Sequence, residues 1–192
     1  MKQPLKYRIN EIFYSIQGEG YHTGTPAVFV RFAGCNQQCP FCDTAHEKVN
    51  LELSEADILA HIARYLSPVV ILTGGEPALQ ITPELIDALH RQGRKVHIET
   101  NGTLPLPDGI DWITLSPKNR NIKVTKAHEL KLVYDNIEMI AYCLRNITAD
   151  HYFLQPKWTN DATTNTHEII EYIKQNPVWR LSLQTHKLIG IL

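Results

Sequence analysis

The sequence lacks several features that would place it quickly in a class of proteins. Its 192 residues include 19 basic and 20 acidic side chains, so a net charge of −1 gives no general attraction to nucleic acid or to a membrane surface. It has no linker, repeat or low-complexity tract, and no apolar run reaches the length of a membrane span. These absences favour one globular domain over residues 1–192 with a single core.

Cysteine is also scarce, and its distribution is uneven. Residues 1–6 lack the apolar core of a signal peptide, so we expect a cytoplasmic location, where thiols stay reduced. Three of the four cysteines fall within eight residues, and the fourth, Cys143, lies in an apolar helical stretch. Clustered thiols in a reducing compartment favour a metal site over disulfides, and we interpret Cys143 as core packing.

What the sequence does contain is a regular alternation of strand and helix patterns. Strands are predicted at residues 27–32, 69–72, 96–100, 112–115, 130–134, 152–154 and 180–183. Helices are predicted after the N-caps Ser54 and Thr82 and over residues 137–144 and 166–174. Such alternation is typical of a parallel α/β sheet with right-handed crossovers. Six or seven short strands are too few for a closed eight-stranded barrel, so we predict an open or partial barrel.

Polar segments follow the predicted strands at the point where each strand ends. There are five of them, at residues 73–77, 99–102, 116–118, 155–158 and 184–187. In parallel α/β folds the active site gathers at the carboxyl ends of the strands. Any one of these segments could be an ordinary loop, but five at the same edge predict one shared site.

The cysteine cluster is the strongest chemical pattern in the chain. Cys35, Cys39 and Cys42 have the spacing C-x3-C-x2-C, and three thiolates in one loop can hold a [4Fe–4S] cluster with one iron left open. The open iron can bind a ligand such as S-adenosylmethionine (SAM). Phe41, between two of the cysteines, can shield a cluster or contact an adenine. The spacing also allows a Cys3His structural zinc site that includes His46.

A second pattern, Gly74-Gly75-Glu76-Pro77, follows one of the predicted strands. Glycines at a strand end let a ligand approach the backbone closely, and exposed carbonyl groups there can accept hydrogen bonds from an ammonium group. Glu76 is expected to hold the shape of the loop. The pairing of this segment with the cysteines about 30 residues upstream is much more specific than either pattern alone.

With these motifs the sequence resembles the radical SAM superfamily, and within it the family of 7-carboxy-7-deazaguanine synthases. The segments that carry the resemblance are residues 13–20, 29–35, 42–44, 73–77, 99–102, 116–118 and 179–187. The resemblance implies a shortened, partial (β/α)6-type radical SAM barrel, usually as a homodimer. It also implies a carbon–nitrogen lyase that converts 6-carboxy-5,6,7,8-tetrahydropterin to 7-carboxy-7-deazaguanine with loss of ammonia, in queuosine and 7-deazapurine biosynthesis.

The same resemblance implies cofactors and partners. The cofactors are a [4Fe–4S] cluster, SAM and Mg²⁺. The partners are the small pterin substrate and an electron donor of the flavodoxin type, with neither nucleic acid nor a membrane among them.

Carried over residue by residue, the resemblance assigns three groups of site residues. The cluster ligands are Cys35, Cys39 and Cys42, and the Mg²⁺ ligand is Thr44. SAM is bound by Phe41, Cys42, Asp43, Gly75, Ser116, Pro117, Lys118, Gln155, Pro156, Lys157 and Trp158. The substrate is bound by Ile16, Gln17, Gly18, Arg31 and Thr73. The guanidinium of Arg31 is suited to clamp the pterin carboxylate, so we include Arg31 among the catalytic residues. His186 and Lys187 are conspicuous but receive no role.

Two alternative functions stay open. Another radical SAM enzyme, such as a glycyl-radical activase, would act on the backbone of a protein partner. A Cys3His zinc-stabilised binding module would have no catalytic activity.

Overall fold

A nine-stranded sheet organises the part of the chain that the computed structural model describes, residues 5–40, 42, 47–158 and 165–192. The strands are β1 (Tyr7–Ile16), β2 (Pro26–Phe32), β3 (Leu51–Leu53), β4 (Val69–Gly74), β5 (Lys95–Thr100), β6 (Trp112–Leu115), β7 (Lys126–Val133), β8 (Thr148–Gln155) and β9 (Arg180–Leu181). The α-helices are α1 (Glu55–Ile62), α2 (Pro83–Arg91), α3 (Ile137–Asn146), α4 (Thr166–Gln175) and α5 (Thr185–Leu188), and a 3₁₀ turn spans Pro77–Leu79.

The order of strands across the sheet is β3-β1-β2-β4-β5-β6-β7-β8-β9. Seven strands, β2 and β4 to β9, are parallel, whereas β1 is antiparallel to both β2 and β3. The two ends of the sheet, β3 and β9, do not pair, so the sheet is an open barrel. This confirms the predicted α/β fold with a partial barrel.

The seven parallel strands are the predicted ones, but the sequence patterns missed β1 and β3. β1 is half-exposed over much of its length, and its pairing with β2 shifts register between Ile9 and Glu11, so it lacks a clean alternation. β7 and β8 each begin four residues earlier than predicted. Their first residues include Lys126 and Thr148, which are exposed and do not look like part of a buried strand.

Helices cover one face of the sheet and form the core with it. Alternate side chains of β2, β4 and β5 point toward this face, and those of Val30, Leu72 and Ile98 pack against α1 and α2. A second cluster packs β7 and β8 against α3 and α4, and it includes Cys143, which is fully buried. Burial raises the pKa of the Cys143 thiol to about 11. The prediction that this cysteine packs in the core is confirmed.

The predicted N-caps of the first two helices are present. The Ser54 hydroxyl accepts a hydrogen bond from the Asp57 amide, and the Asp57 carboxylate accepts one from the Ser54 amide, which completes a capping box. Thr82 caps α2 and also bonds the hydroxyl of Tyr7 on β1, at 3.1 Å. Within the described ranges, no helix has both the length and the apolar character needed to cross a membrane.

The other face of the sheet carries polar and aromatic side chains, together with a small apolar cluster of Ala27, Phe29, Val69 and Ile71. Toward the amino-terminal ends of the parallel strands, Trp112 packs between imidazole rings, with its ring centroid 5.1 Å from that of His128 and 6.1 Å from that of His97. Tyr21 stacks on His151 at 4.1 Å. In this open barrel, here called the half-barrel, the rings fill the space at the amino-terminal ends of the strands. Space for a ligand therefore lies toward the carboxyl-terminal ends.

Candidate active site

A cavity of about 430 Å³ opens at the carboxyl ends of the parallel strands. Its walls come from β1, β2 and β4 to β8, and from the segments that follow them. All five polar segments noted in the sequence contribute lining residues. The size is within the range of small-molecule sites.

The structure brings nearly all the described candidate residues to this one cavity. Those that line it are Ile16, Gln17, Gly18, Arg31, Cys35, Cys39, Cys42, Thr73, Gly75, Ser116, Lys118, Gln155, Pro156, Lys157 and Trp158. Pro117 differs: it is buried, and it lines a second cavity, of about 310 Å³, beside the start of α3. Phe41, Asp43, Thr44 and His46 lie outside the described residues.

The cysteine loop is held in place by the glycine segment after β4. The Gly75 amide donates to the Phe32 carbonyl at 3.1 Å, and the Glu76 amide donates to the Gly34 carbonyl at 2.9 Å. A Cβ atom on Gly75 would lie 2.0 Å from the Gly34 carbonyl oxygen. Gly75 is therefore required where two backbone segments touch, in addition to any contact with a ligand.

Glu76 is buried behind this loop and does not line the cavity. Its side chain is fully buried and accepts hydrogen bonds from the Thr100 hydroxyl at 2.7 Å, the Asn101 amide at 2.7 Å and the Ala78 amide at 3.0 Å. Burial raises the pKa of Glu76, and these hydrogen bonds oppose that shift. The arrangement agrees with the prediction that Glu76 holds the shape of the loop.

The segment after β5 fixes the cysteine loop from a second side. The Asn101 side-chain amide donates to the Asn36 side chain at 3.0 Å, and Asn36 in turn donates to the Thr103 hydroxyl at 2.8 Å. Asn36 directly follows Cys35, so the first cysteine is positioned by β4 and β5 together.

The three cysteines that are predicted to hold the cluster all reach the cavity. Cys35, Cys39 and Cys42 line one wall of the cavity, and none of them forms a disulfide. In the described part of the chain, no three His, Cys, Asp or Glu side chains are gathered as ligands of a single metal ion.

Arg31 projects into the cavity from β2. Its Nε donates to the Glu11 carboxylate of β1 at 2.7 Å, and its guanidinium lies 5.4 Å from the centre of the Phe13 ring. Phe13 is itself stacked on Phe29, at 4.9 Å. These contacts fix the plane of the guanidinium and turn it toward the cavity, where it can meet an anionic group.

Glu99 is a site residue to which the sequence patterns gave no role. Its carboxylate accepts hydrogen bonds from the Thr73 hydroxyl at 2.7 Å and from the Gln17 side-chain amide at 2.9 Å. Two predicted substrate residues thus converge on one carboxylate that lines the cavity. In the sequence, Glu99 opens one of the polar strand-end segments, which is also one of the segments that carry the family resemblance.

A largely buried ion pair lies beside Glu99 and lines the same cavity. The Lys131 ammonium of β7 pairs with Glu19 and lies 3.9 Å from the Glu99 carboxylate. Burial alone would raise the pKa of Glu19, but the charge of Lys131 and hydrogen bonds from Lys131 and Gln184 outweigh it, so that pKa is lowered. For Lys131 the directions are reversed: burial alone would lower its pKa, but the surrounding carboxylates raise it. Both groups are therefore charged.

A third carboxyl group, Glu129, lies next to this pair. It is 2% exposed, and one of its oxygens accepts a hydrogen bond from the Tyr21 amide at 3.1 Å. Its other oxygen has no hydrogen-bond partner among the described residues. Burial raises the pKa of Glu129, an effect that Lys131 only partly offsets.

The segment after β1 and the carboxyl-terminal segment pack against each other at the cavity edge. The Thr185 amide donates to the Gly18 carbonyl at 2.9 Å, and a Cβ atom on Gly18 would lie 2.1 Å from Nδ1 of His186. His186 and Lys187 both line the cavity. Neither residue received a role from the sequence, and in the structure both form part of this wall.

Comparison with known proteins agrees with the geometry. The chain matches the radical SAM superfamily over residues 29–170. It is 53% identical to the 7-carboxy-7-deazaguanine synthase of Bacteroides thetaiotaomicron over 185 residues, which cover 96% of this chain and 98% of that protein. It is 39% identical to the enzyme of the same name from Bradyrhizobium diazoefficiens, over 97% of this chain and 100% of that protein.

A solved structure gives the same picture. The crystal structure of QueE from Escherichia coli superposes with a TM-score of 0.79 and 34% sequence identity, and the match covers 94% of this chain and 95% of that chain.

Proposed function

Since the chain belongs to the 7-carboxy-7-deazaguanine synthases of the radical SAM superfamily, we propose that it converts 6-carboxy-5,6,7,8-tetrahydropterin to 7-carboxy-7-deazaguanine and ammonia. This product belongs to the biosynthesis of queuosine and other 7-deazapurines. The observation that carries the proposal is a single cavity that joins the three cysteines, the glycine segment and a wall of paired polar residues.

Membership of the superfamily entails a [4Fe–4S] cluster and SAM. In this proposal Cys35, Cys39 and Cys42 hold the cluster, and Gly75 and Ser116 are among the residues that bind SAM. When bound, the two cofactors supply a 5′-deoxyadenosyl radical that can abstract a hydrogen atom from an unactivated carbon. The protein's own contribution is to position the substrate and to exclude water and side reactions.

The substrate has two chemically different ends, and the cavity has a group to match each. The amino-pyrimidinone edge of a pterin presents N–H donors, which suit the Glu99 carboxylate and the Gln17 side chain beside it. The carboxylate of the substrate suits the guanidinium of Arg31, which Glu11 holds in place. Thr73 lies on β4, between the strands of Arg31 and Glu99, and its hydroxyl donates a hydrogen bond to Glu99.

Several finer features belong to the proposal. Mg²⁺ is assigned to Thr44, since a hydroxyl oxygen suits a hard cation that takes its other oxygens from substrate and water. Ser116, Pro117, Lys118 and the segment 155–158 complete the SAM site, together with Phe41 and Asp43. We also propose that residues 1–192 act as one radical SAM domain. That domain is proposed to be a cytoplasmic homodimer that receives electrons from a flavodoxin-type protein.

The alternative functions have less support. A glycyl-radical activase needs room for the backbone of a protein partner, whereas this cavity is lined by charged side chains that are already paired, such as Arg31 with Glu11. These fixed pairs favour a small anionic substrate.

An anaerobic turnover assay tests the proposal. The protein with a reconstituted cluster would be supplied with reductant, SAM, Mg²⁺ and 6-carboxytetrahydropterin, and the products analysed by mass spectrometry. We expect a product lighter than the substrate by one ammonia, and none from a Cys39→Ala control. An intact brown cluster that cleaves SAM without forming this product would refute the substrate, and a colourless zinc protein would refute the chemistry as well.

A further inference from the structure

The segment Gln17–Tyr21, here called the bridging segment, closes the open side of the half-barrel. It follows β1, which lies near one end of the sheet, yet it contacts β7 and the residues after β9 at the other end. The Gly20 amide donates to the Ser182 hydroxyl at 3.0 Å, and the Tyr21 amide donates to the Glu129 carboxylate at 3.1 Å. The wall that carries Gln17 is therefore held by contacts across the gap.

One buried ion pair lies at the centre of these contacts. Glu19 of the bridging segment pairs with Lys131 of β7, and its second oxygen accepts a hydrogen bond from Gln184 at 2.8 Å. The side chains of Lys131 and Glu19 are only 7% and 16% exposed. The bridging segment is thus tied to β7 by a largely buried ion pair.

Lys131 also reaches the residues that face the substrate cavity. Its ammonium lies 3.9 Å from Glu99, the carboxylate that receives the hydrogen bonds of Gln17 and Thr73. Three carboxyl groups, Glu19, Glu99 and Glu129, thus surround a single ammonium group. Without that cation the carboxyl groups are left crowded together in a poorly solvated space, and we expect the bridging segment, which lies outside the strands, to move away from β7.

We propose that Lys131, fixed by Glu19, is a positioning residue: it holds the bridging segment and Glu99 so that Gln17 and Glu99 meet the amino-pyrimidinone edge of the substrate. The proposal rests on the proposed function for the identity of that substrate. It assigns Lys131 no contact with the reacting atoms.

The principal test compares Lys131→Met with the wild-type enzyme in the anaerobic assay. The Met side chain keeps the length and the apolar stem of lysine and removes the charge. We expect KM for the carboxypterin to rise about tenfold or more, with a much smaller change in kcat, because substrate binding is loosened while the chemistry is not removed. Iron content and SAM cleavage in the absence of substrate should stay as in the wild type.

A matched control is available on the same strand. Leu132 follows Lys131 on β7, but its buried side chain packs on the helix-covered face. Leu132→Val should lower the melting temperature and leave KM unchanged. If Leu132→Val raised KM as much as Lys131→Met, loss of stability would explain both effects and the positioning role would be overturned.

Two further variants examine the pair itself. Lys131→Arg keeps a cation and should raise KM less than Lys131→Met. The double variant Glu19→Gln/Lys131→Met should bind substrate no worse than Lys131→Met alone, since the two residues act as one unit. Multiplicative losses in the double variant would contradict the proposal.

The outcomes separate this proposal from the proposed function. No product from the wild type refutes the proposed function, whereas wild-type turnover with an unchanged KM in Lys131→Met refutes the positioning role alone. If Lys131→Met does not fold, Glu19→Gln serves as the variant, because the new side-chain amide can still accept a hydrogen bond from Gln184 and removes one carboxylate from the cluster. An unchanged KM in a folded Glu19→Gln would overturn the proposal.

Discussion

Single residues in this protein are placed by contacts that a sequence pattern does not display. Glycine in the Gly-Gly-Glu-Pro segment suggested close approach of a ligand, and the structure shows that Gly75 also touches the backbone of the cysteine loop. Glu76 is buried behind it and bonds the segment after β5. The cysteine loop and the Gly-Gly-Glu-Pro segment are thus joined by backbone contacts into one arrangement.

Gly75→Ala tests this arrangement. The added Cβ would lie 2.0 Å from a backbone oxygen, so the cysteine loop has to move and the three thiols lose their relative positions. We expect a severalfold loss of iron and sulfide after reconstitution, measured by metal analysis and by absorbance of the cluster.

Gly93→Ala is the control for that variant. A Cβ at Gly93 meets no other atom within 4 Å, although its φ of +72° is unfavourable for alanine. This substitution should cost about 1 kcal/mol of stability and leave cluster content unchanged. Equal cluster loss in both variants would show that stability, and not the contact with Gly34, controls assembly.

At the scale of elements, helix caps join the helices to the strands beside them. Thr82 caps α2 by accepting from the Leu85 amide at 3.3 Å, and it also bonds the Tyr7 hydroxyl of β1. Tyr7 is 2% exposed, so its hydroxyl depends on that partner. One side chain therefore stabilises both the helix and the antiparallel strand that the sequence patterns missed.

Thr82→Ala should destabilise the protein by about 1–2 kcal/mol, because it removes a cap and leaves a buried hydroxyl without its partner. Thr82→Ser keeps the hydroxyl and should lose much less. Chemical denaturation of the two variants measures the difference, and a Thr82→Ala protein as stable as the wild type would show that the cap contributes nothing.

At the scale of the whole molecule, the rings at the amino-terminal ends of the strands, which include His97, make the free energy of unfolding depend on pH. Burial, helped by the neighbouring His22, Lys95 and His128 and opposed by Asp111, lowers the pKa of His97 to about 4. The folded protein therefore holds His97 neutral where the unfolded chain would bind a proton. The stability from this group is complete above pH 6.5 and is lost as pH falls toward 4.

Thermal unfolding between pH 7 and pH 4.5 tests this expectation. The wild type should lose roughly 3 kcal/mol at most from His97 across the window. His97→Phe keeps an aromatic ring without the titrating nitrogen and should have a flatter dependence on pH. His167→Asn, at an exposed position of α4, is the control and should follow the wild type. A His97→Phe curve parallel to the wild type would assign the acid sensitivity to other groups.

The sequence by itself determined the chemistry and most of the architecture. The seven parallel strands could be predicted because each contains a short segment with a strand pattern, and Ser54 and Thr82 could be predicted as caps because capping is local. The cysteine spacing and the resemblance identified the family because both depend only on order along the chain.

Tertiary structure decided the rest, because it depends on contacts between residues far apart in sequence. β1 has a broken alternation, and only its neighbours β2 and β3 make it a strand. Glu19 and Glu99 lie in segments that carry the family resemblance, but neither they nor Lys131 received a role, since a charged residue in a strand or loop usually faces solvent. The open sheet brings these three side chains together at the wall of the cavity, where their charges offset one another, and this contact exists only in the folded chain.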